Sequence, residues 1–306
     1  MQTTVQNAIT FSGVGLHSGA PVTMVIRPAS SGFGIQFSRV DLHRTDARVP
    51  AIWNAVNQSP LCTRIENPEG VSVSTIEHVM AALVGCGVHN ALIELDGPEA
   101  PILDGSSIEY VRALLAAGLR SLDAPVVAIE ILKPVEARRG EAFARLVPGE
   151  GLQIDFRIDF EDKAIGTQFK RMNMSNGSFV RELSDSRTFC RKSDVDAMRA
   201  QGLALGGTME NAVVVDGDSV LSPGGLRYSD EAVRHKMLDA LGDLALAGAP
   251  IIGHYIGHRA GHALTNDLLR ALFADSTSYR LIECTEAQAA LLPGAGVHLG
   301  ELPRVA

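Results

Sequence analysis

A histidine and an aspartate, His235 and Asp239, stand four residues apart in segment 229–248. The apolar residues of this segment recur at helical spacing, at Val233, Met237, Leu241 and Leu244. On a helix the two polar side chains lie one turn apart on the same face. Their imidazole and carboxylate can therefore converge on one point, as two ligands of a metal ion must.

Two further segments carry related chemistry: Glu77 with His78, and His262 after a glycine. Zinc hydrolases supply three protein ligands and leave a fourth position for water, whose pKa the metal lowers towards neutrality. A carboxylate can take the water's proton, and a second group can protonate the leaving amine. These roles fit a metal-dependent hydrolase with Glu77 as base, His262 as acid, and the ligands His78, His235 and Asp239.

Two neighbours on the same predicted helix could support this site. Asp243 lies one turn beyond Asp239 and could orient a histidine by accepting its ring N–H. Lys236 could neutralise an oxyanion or a phosphate. Taken singly, these signals stay open to simpler interpretations: a His/Asp pair is more often a solvated helix face, His262 could merely begin a helix, and His17 is expected to be a turn residue.

Composition sets the class of protein. The chain has 306 residues, 46% hydrophobic and 20% charged, which favours a soluble protein of two domains. A net charge of -8 argues against a nucleic-acid partner. No apolar run reaches the length of a membrane span, and no signal peptide is recognisable. The four cysteines form no CxxC pair, so we expect free thiols in the cytoplasm.

Elements that must position these residues follow from periodicity and turn signals. A polar segment ending in proline, 120–125, separates a predicted domain 1–123, which carries Glu77 and His78, from a domain 124–306 with the other site residues. Strands and helices mix in both, which favours α+β halves. The predicted strands are 90–96, 126–132 and 152–160, and the predicted helices are 74–85, 108–117, 193–201, 230–246 and 263–274.

Longer sequence motifs surround the candidate residues. They are GVGLH at 13–17, LCT at 61–63, TIEH at 75–78, PILDGS at 101–106, SRTF at 186–189, RHKMLDALGD at 234–243 and GHAL at 261–264. In these motifs the chain resembles the UDP-3-O-acyl-N-acetylglucosamine deacetylase family, from near residue 1 to beyond residue 275. The ordered set is far more specific than any single short motif.

The resemblance implies a zinc-dependent amidase of the cytoplasm. Such an enzyme removes the N-acetyl group from the acylated UDP-sugar, releasing acetate, in the committed step of lipid A synthesis in Gram-negative bacteria. It implies one catalytic Zn²⁺, with iron(II) as the alternative ion, held by His78, His235 and Asp239, with Glu77 as base and His262 as acid. The implied fold is two similarly built α+β domains, with helices sandwiched between two sheets and the site at the domain interface. We expect a monomer.

Further roles also come from the resemblance. Thr188 supports the oxyanion, Asp243 partners the acid histidine, and Lys236 contacts substrate. An inserted element, 193–207, would line a channel for the acyl chain with Val195, Met198, Leu203 and Leu205, although such an amphipathic helix is usually ordinary core.

Three other positions are expected to contact substrate: Phe189, Cys62 and Arg259. Cys62 has an equally good account as a buried apolar thiol. Arg259, at a position where lysine is expected, still offers a cation to a diphosphate. Two other functions remain open from the residues alone: a non-catalytic sugar-nucleotide binding protein with a closed four-ligand metal site, and a zinc protease, which the absence of HExxH disfavours.

Overall fold

A computed structural model describes residues 1–42, 44–59 and 61–303 of the chain. The first part contains nine strands and two helices within those residues. The strands are β1 (Thr3–Val5), β2 (Ile9–Val14), β3 (Pro21–Pro28), β4 (Ile35–Arg39), β5 (Arg48–Pro50), β6 (Ile65–Glu66), β7 (Ser72–Val73), β8 (Ala91–Leu95) and β9 (Leu119–Ser121), and the helices are α1 (Glu77–Gly85) and α2 (Ile108–Ala117).

The second part is longer and richer in helix. Its strands are β10 (Val127–Ile131), β11 (Val135–Arg139), β12 (Ala142–Val147), β13 (Leu152–Asp159), β14 (Thr167–Asn173), β15 (Phe189–Arg191), β16 (Val213–Asp216), β17 (Ser219–Val220), β18 (Ile251–His258) and β19 (Tyr279–Glu283). Its helices are α3 (Ser178–Glu182), α4 (Lys192–Ala200), α5 (Glu231–Leu244), α6 (His262–Ala274) and α7 (Glu286–Ala289).

Two large sheets organise these elements. A five-stranded sheet has the order β2-β3-β8-β4-β5, in which β8 runs parallel to β4 and antiparallel to β3. A seven-stranded sheet has the path β11-β12-β18-β10-β19. There β13 pairs in parallel with β18 and antiparallel with β14. Helices and strands are thus mixed in both parts, and the predicted α+β class is confirmed.

The helices α1 and α5 pack against each other in the centre of the molecule. Eight of the nine residues of α1 and twelve of the fourteen of α5 are buried, and a helix buried all round must be covered on every side. Gly242 permits the close approach: a Cβ at this position would lie 2.1 Å from the carbonyl oxygen of Glu77. The helix crossing therefore brings the site residues of both helices together.

The predicted elements are present with small shifts at their ends. Every predicted strand and helix ends within two residues of the observed one except at the start of α1. That helix begins at Glu77 rather than at Ser74, because Thr75 has a φ of 56°, and left-handed backbone cannot continue a right-handed helix. Within the described residues, no helix combines the length and apolarity needed to cross a membrane.

Candidate metal centre and its cleft

Three side chains converge where α1 crosses α5. His78 comes from the first turn of α1, and His235 and Asp239 from successive turns of α5. Their potential ligand atoms all lie within 4.8 Å of one another. Asp239 Oδ1 is 3.2 Å from His235 Nε2 and 3.7 Å from His78 Nε2. The predicted ligands thus form one buried cluster.

The protonation of this cluster fits a bound cation. The Nδ1–H of His235 donates to the carbonyl oxygen of Ser186 at 3.0 Å, which leaves a lone pair on Nε2. Asp239 Oδ1 is buried and has no hydrogen-bond partner within the described chain. Burial and the adjacent His235 lower the pKa of His78 to about 3, so that this imidazole is neutral. Lone pairs facing one another in a dry site need a positive ion between them.

The other oxygen of the aspartate is held by a cation of the protein. Lys236 Nζ lies 2.6 Å from Asp239 Oδ2, and the lysine side chain is 19% exposed. Burial opposes protonation of Lys236, but the carboxylates of Asp239, Asp243 and Glu77 outweigh it and raise the lysine pKa. Lys236 therefore carries a full positive charge at the edge of the cluster.

The expected base, Glu77, is also buried, with a side chain 4% exposed. Its Oε2 accepts a hydrogen bond from the amide of Thr63 at 3.0 Å. Burial raises the pKa of Glu77 to about 7; His262 opposes this rise, and the carboxylates of Asp239 and Asp243 add to it. A carboxylate with that pKa can both accept and return a proton near neutral pH.

The expected acid, His262, begins α6 and points at the same cluster. Its Nδ1–H donates to Asp243 Oδ2 at 2.9 Å. Its Nε2 faces Glu77 Oε1 at 3.9 Å and Asp239 Oδ2 at 4.0 Å. Burial opposes protonation, but the carboxylates of Asp243 and Glu77 raise the pKa of His262 to about 9. The imidazole therefore holds a proton that it can donate through Nε2.

Thr63 is a residue of this site that the sequence did not single out. It is 3% exposed, and besides its amide bond to Glu77 its hydroxyl donates to Asp243 Oδ1. The motif LCT at 61–63 is part of the resemblance, but the residue in it that is predicted to contact substrate is Cys62, not Thr63. The bond from Thr63 to Asp243 joins positions 180 residues apart, a distance over which no local pattern carries a signal.

A cleft of about 970 Å³ leads from the cluster to the surface. Thr188 and Phe189 line it beside His235. The backbone amide of Thr188 donates to the carbonyl oxygen of Gly105 at 2.7 Å, and its hydroxyl makes no hydrogen bond within residues 1–42, 44–59 and 61–303. The ring of Phe189 packs edge-on against His235, with centroids 6.3 Å apart. The hydroxyl is therefore free to meet a substrate.

The outer part of the cleft is formed by α4 and the loop after it. Val195, Met198 and Leu203 line it, as does Arg259 on the opposite side, whereas Leu205 is 56% exposed and outside the lining. No residue of α4 is buried. This helix is therefore not ordinary core, and its apolar side chains face the cleft instead.

Cys62 and His17 differ in their relation to the cleft. Cys62 is buried and lies outside the cleft lining, which contains its neighbour Leu61. Its role as a substrate contact stays a prediction. His17 does occupy a turn, fixed by a hydrogen bond from its amide to Glu99 at 2.9 Å, but its ring lines the cleft.

Comparisons with known proteins agree on one family. The family model described as LpxC, UDP-3-O-acyl N-acetylglycosamine deacetylase, matches residues 2–274. The chain is 50% identical over 280 residues to a UDP-3-O-acyl-N-acetylglucosamine deacetylase of Phenylobacterium zucineum, covering 92% of this chain and 96% of the relative. It is 44% identical over 304 residues to the enzyme of that name from Shewanella frigidimarina, covering 97% and 99%. It is 43% identical over 290 residues to that of Pasteurella multocida, covering 94% and 95%.

Proposed function

The chain belongs to the UDP-3-O-acyl N-acetylglycosamine deacetylase family, and we propose that it hydrolyses the N-acetyl amide of UDP-3-O-acyl-N-acetylglucosamine. The products are UDP-3-O-acyl-glucosamine and acetate, in the committed step of lipid A synthesis. The observation that carries the proposal is the meeting of a three-ligand cluster, a buried carboxylate and a protonated imidazole at the inner end of one cleft.

We propose Zn²⁺ as the single catalytic ion, with iron(II) as the alternative. His78, His235 and Asp239 would hold it, since their free acceptor atoms and the orphaned Asp239 oxygen suit a divalent cation. When bound, such an ion acts as a Lewis acid that polarises the amide carbonyl and makes water acidic near neutral pH.

Glu77 and His262 divide the proton transfers. Glu77 takes a proton from the attacking water, for which its pKa of about 7 is suited. His262, with a pKa of about 9, gives its Nε2 proton to the amide nitrogen as the amine leaves. Each positioned acid or base contributes about 10²–10⁴-fold to the rate. Asp243 keeps the imidazole in the required orientation through the Nδ1–H bond.

Charge that develops on the carbonyl oxygen needs donors. The free hydroxyl of Thr188 and the ammonium group of Lys236 both border the inner cleft and can supply them. Each such donor is worth about 10²–10³-fold in rate when it meets the oxyanion directly. Lys236 is thus both a partner of Asp239 and a substrate contact.

The remaining cleft residues would bind the rest of the substrate. The apolar side of α4, with Leu203 after it, suits the 3-O-acyl chain, while Arg259 suits the diphosphate. Phe189 would pack against the sugar or the acyl chain. Cys62, next to the lining residue Leu61, would be a further substrate contact.

The proposal includes the organisation of the protein. Residues 1–123 and 124–306 would form two domains, with the site at their interface, in a monomer of the cytoplasm. Support comes from the origin of the site residues: Glu77 and His78 belong to the first part, and His235, Asp239 and His262 to the second.

The direct test is acetate release by purified, zinc-loaded protein from UDP-3-O-acyl-N-acetylglucosamine, with mass spectrometry of the nucleotide product. His262→Gln should lower kcat by about 10²–10⁴-fold, because it removes the proton donor. His254→Gln is the matched control, since His254 bonds Asp155 outside the cleft and should leave kcat unchanged. No acetate from the parent protein would end the proposal.

A further inference from the structure

Thr63 contacts both carboxylates that serve the acid–base pair. Its amide donates to Glu77 Oε2 at 3.0 Å, and its hydroxyl donates to Asp243 Oδ1. Its carbonyl oxygen accepts from the amide of Ile76 at 3.4 Å, directly before α1. Thr63, in the first part of the chain, thus connects the base Glu77 with Asp243, the aspartate of the second part that orients the acid His262.

The hydroxyl completes the hydrogen bonding of Asp243. This carboxylate is 4% exposed, and a buried carboxylate oxygen without a donor is unfavourable. Oδ2 accepts from His262 and Oδ1 accepts from Thr63. With a donor on each oxygen, the carboxylate plane is fixed, and so is the direction in which the His262 ring points. Loss of the hydroxyl would free the carboxylate to rotate.

The backbone amide of Thr63 fixes the orientation of Glu77 in the same way. By occupying Oε2, it leaves Oε1 directed at His262 Nε2, 3.9 Å away. Because the amide and the hydroxyl belong to one residue, the positions of Glu77 and Asp243 are not independent. Thr63 itself is absent from the cleft lining, so it acts without touching the substrate.

We propose that Thr63 is a positioning residue that fixes the base Glu77 relative to the acid His262, acting on the latter through Asp243. The inference rests on the function proposed above. It requires that loss of the hydroxyl changes kcat and leaves both KM and metal content unchanged, since neither the substrate nor the ligand cluster is contacted.

The test compares two substitutions in the full, zinc-loaded protein. Thr63→Val keeps the size and branching but removes the donor, and should lower kcat about 10- to 100-fold, the usual effect of losing a partner that orients a site residue. Thr63→Ser keeps the hydroxyl and should retain most of kcat. Thr265→Val is the matched control: its buried hydroxyl bonds Tyr255 at 3.0 Å, so a fall in melting temperature without a fall in kcat is expected.

Two further measurements separate positioning from a general structural role. In an Asp243→Ala background, Thr63→Val should cause no further loss of kcat, because the two residues act in series. The NMR signal of the His262 Nδ1 proton should shift or broaden in Thr63→Val and persist in Thr63→Ser. An unchanged kcat in Thr63→Val, equal losses in both variants, or a full additional loss in the Asp243→Ala background would each overturn the inference. The NMR comparison needs no substrate, so it decides the role of Thr63 even if the parent protein releases no acetate.

Discussion

At the scale of single residues, the site separates metal binding from proton transfer by the partners that each carboxylate has. Asp239 Oδ1 is left without a hydrogen-bond partner in the described chain, beside two histidine nitrogens. Glu77 has its Oε2 occupied by the amide of Thr63, and its open Oε1 faces the Nε2 of His262 rather than the ligand histidines. One carboxylate is therefore ready to bind a cation, and the other is held as a proton acceptor.

This difference predicts opposite effects of two substitutions. Asp239→Ala removes a ligand and should weaken zinc affinity by more than about 100-fold, the upper end of what loss of a mere supporting partner costs. Glu77→Gln should keep the zinc and lower kcat by about 10²–10⁴-fold. Metal content after dialysis and steady-state kinetics measure both, with exposed Asp123→Ala as the control. Equal zinc loss in the two variants would place Glu77 among the ligands and contradict the assignment.

The sequence predicted some residues of this site well and others not at all. His235 and Asp239 were found because helical spacing alone places them on one face. Glu77, His78 and His262 entered through the resemblance as much as through their chemistry. Thr63 was missed because its two bonds reach α1 and α5, and only the tertiary fold brings these together.

At the scale of elements, α4 is the helix of the cleft that packs least against the rest of the protein. None of its residues is buried, yet Val195 and Met198 line the outer cleft. Partly exposed apolar side chains that face a cavity rather than a core are typical of a site for an apolar ligand. The helix thus has little packing of its own, and its apolar surface is the one to which we assign the acyl chain.

Met198→Glu should therefore weaken binding of acylated substrates selectively. A carboxylate in the apolar lining should lower kcat/KM by at least about tenfold for a long 3-O-acyl chain and much less for a substrate with a short one. Ala200→Glu, on the same helix but outside the lining, is the matched control. Equal losses with both chain lengths would show that α4 does not contact the chain.

The periodicities predicted the helices themselves, including the amphipathic stretch that became α4. They could not predict which way its apolar face points, because a core and a ligand channel require the same pattern. Local sequence patterns also could not predict that α1 starts at Glu77. It depends on the left-handed backbone of Thr75, whose hydroxyl is anchored to Glu99 at 2.8 Å.

At the scale of the whole molecule, the α+β class was predictable from the mixture of strands and helices, but the strand order was not. The path β11-β12-β18-β10-β19 places β18 between strands that precede it by about a hundred residues. Such pairing is decided by long-range packing. The crossing of α1 and α5 likewise depends on the absence of a side chain at Gly242.

Because the ligands come from both parts of the chain, metal binding should stabilise the molecule as a unit. Adding zinc to chelator-treated protein at about 100 times its Kd should raise the free energy of unfolding by about 2.7 kcal/mol. A melting curve should move up by several degrees as one transition. His235→Ala should abolish the shift. A shift confined to one of two separate transitions would mean that the ion stabilises only one part.

The division of the ligands between α1 and α5 also has a consequence for biosynthesis. A ribosome makes the first part of a chain before the second, and domains can fold as they emerge. A nascent chain that ends before α5 holds only His78 of the cluster, too few ligands to retain an ion. Under the proposed function, metal capture would then wait until translation has passed Asp239, and the reactivity that depends on the metal would appear only after both α1 and α5 have been made.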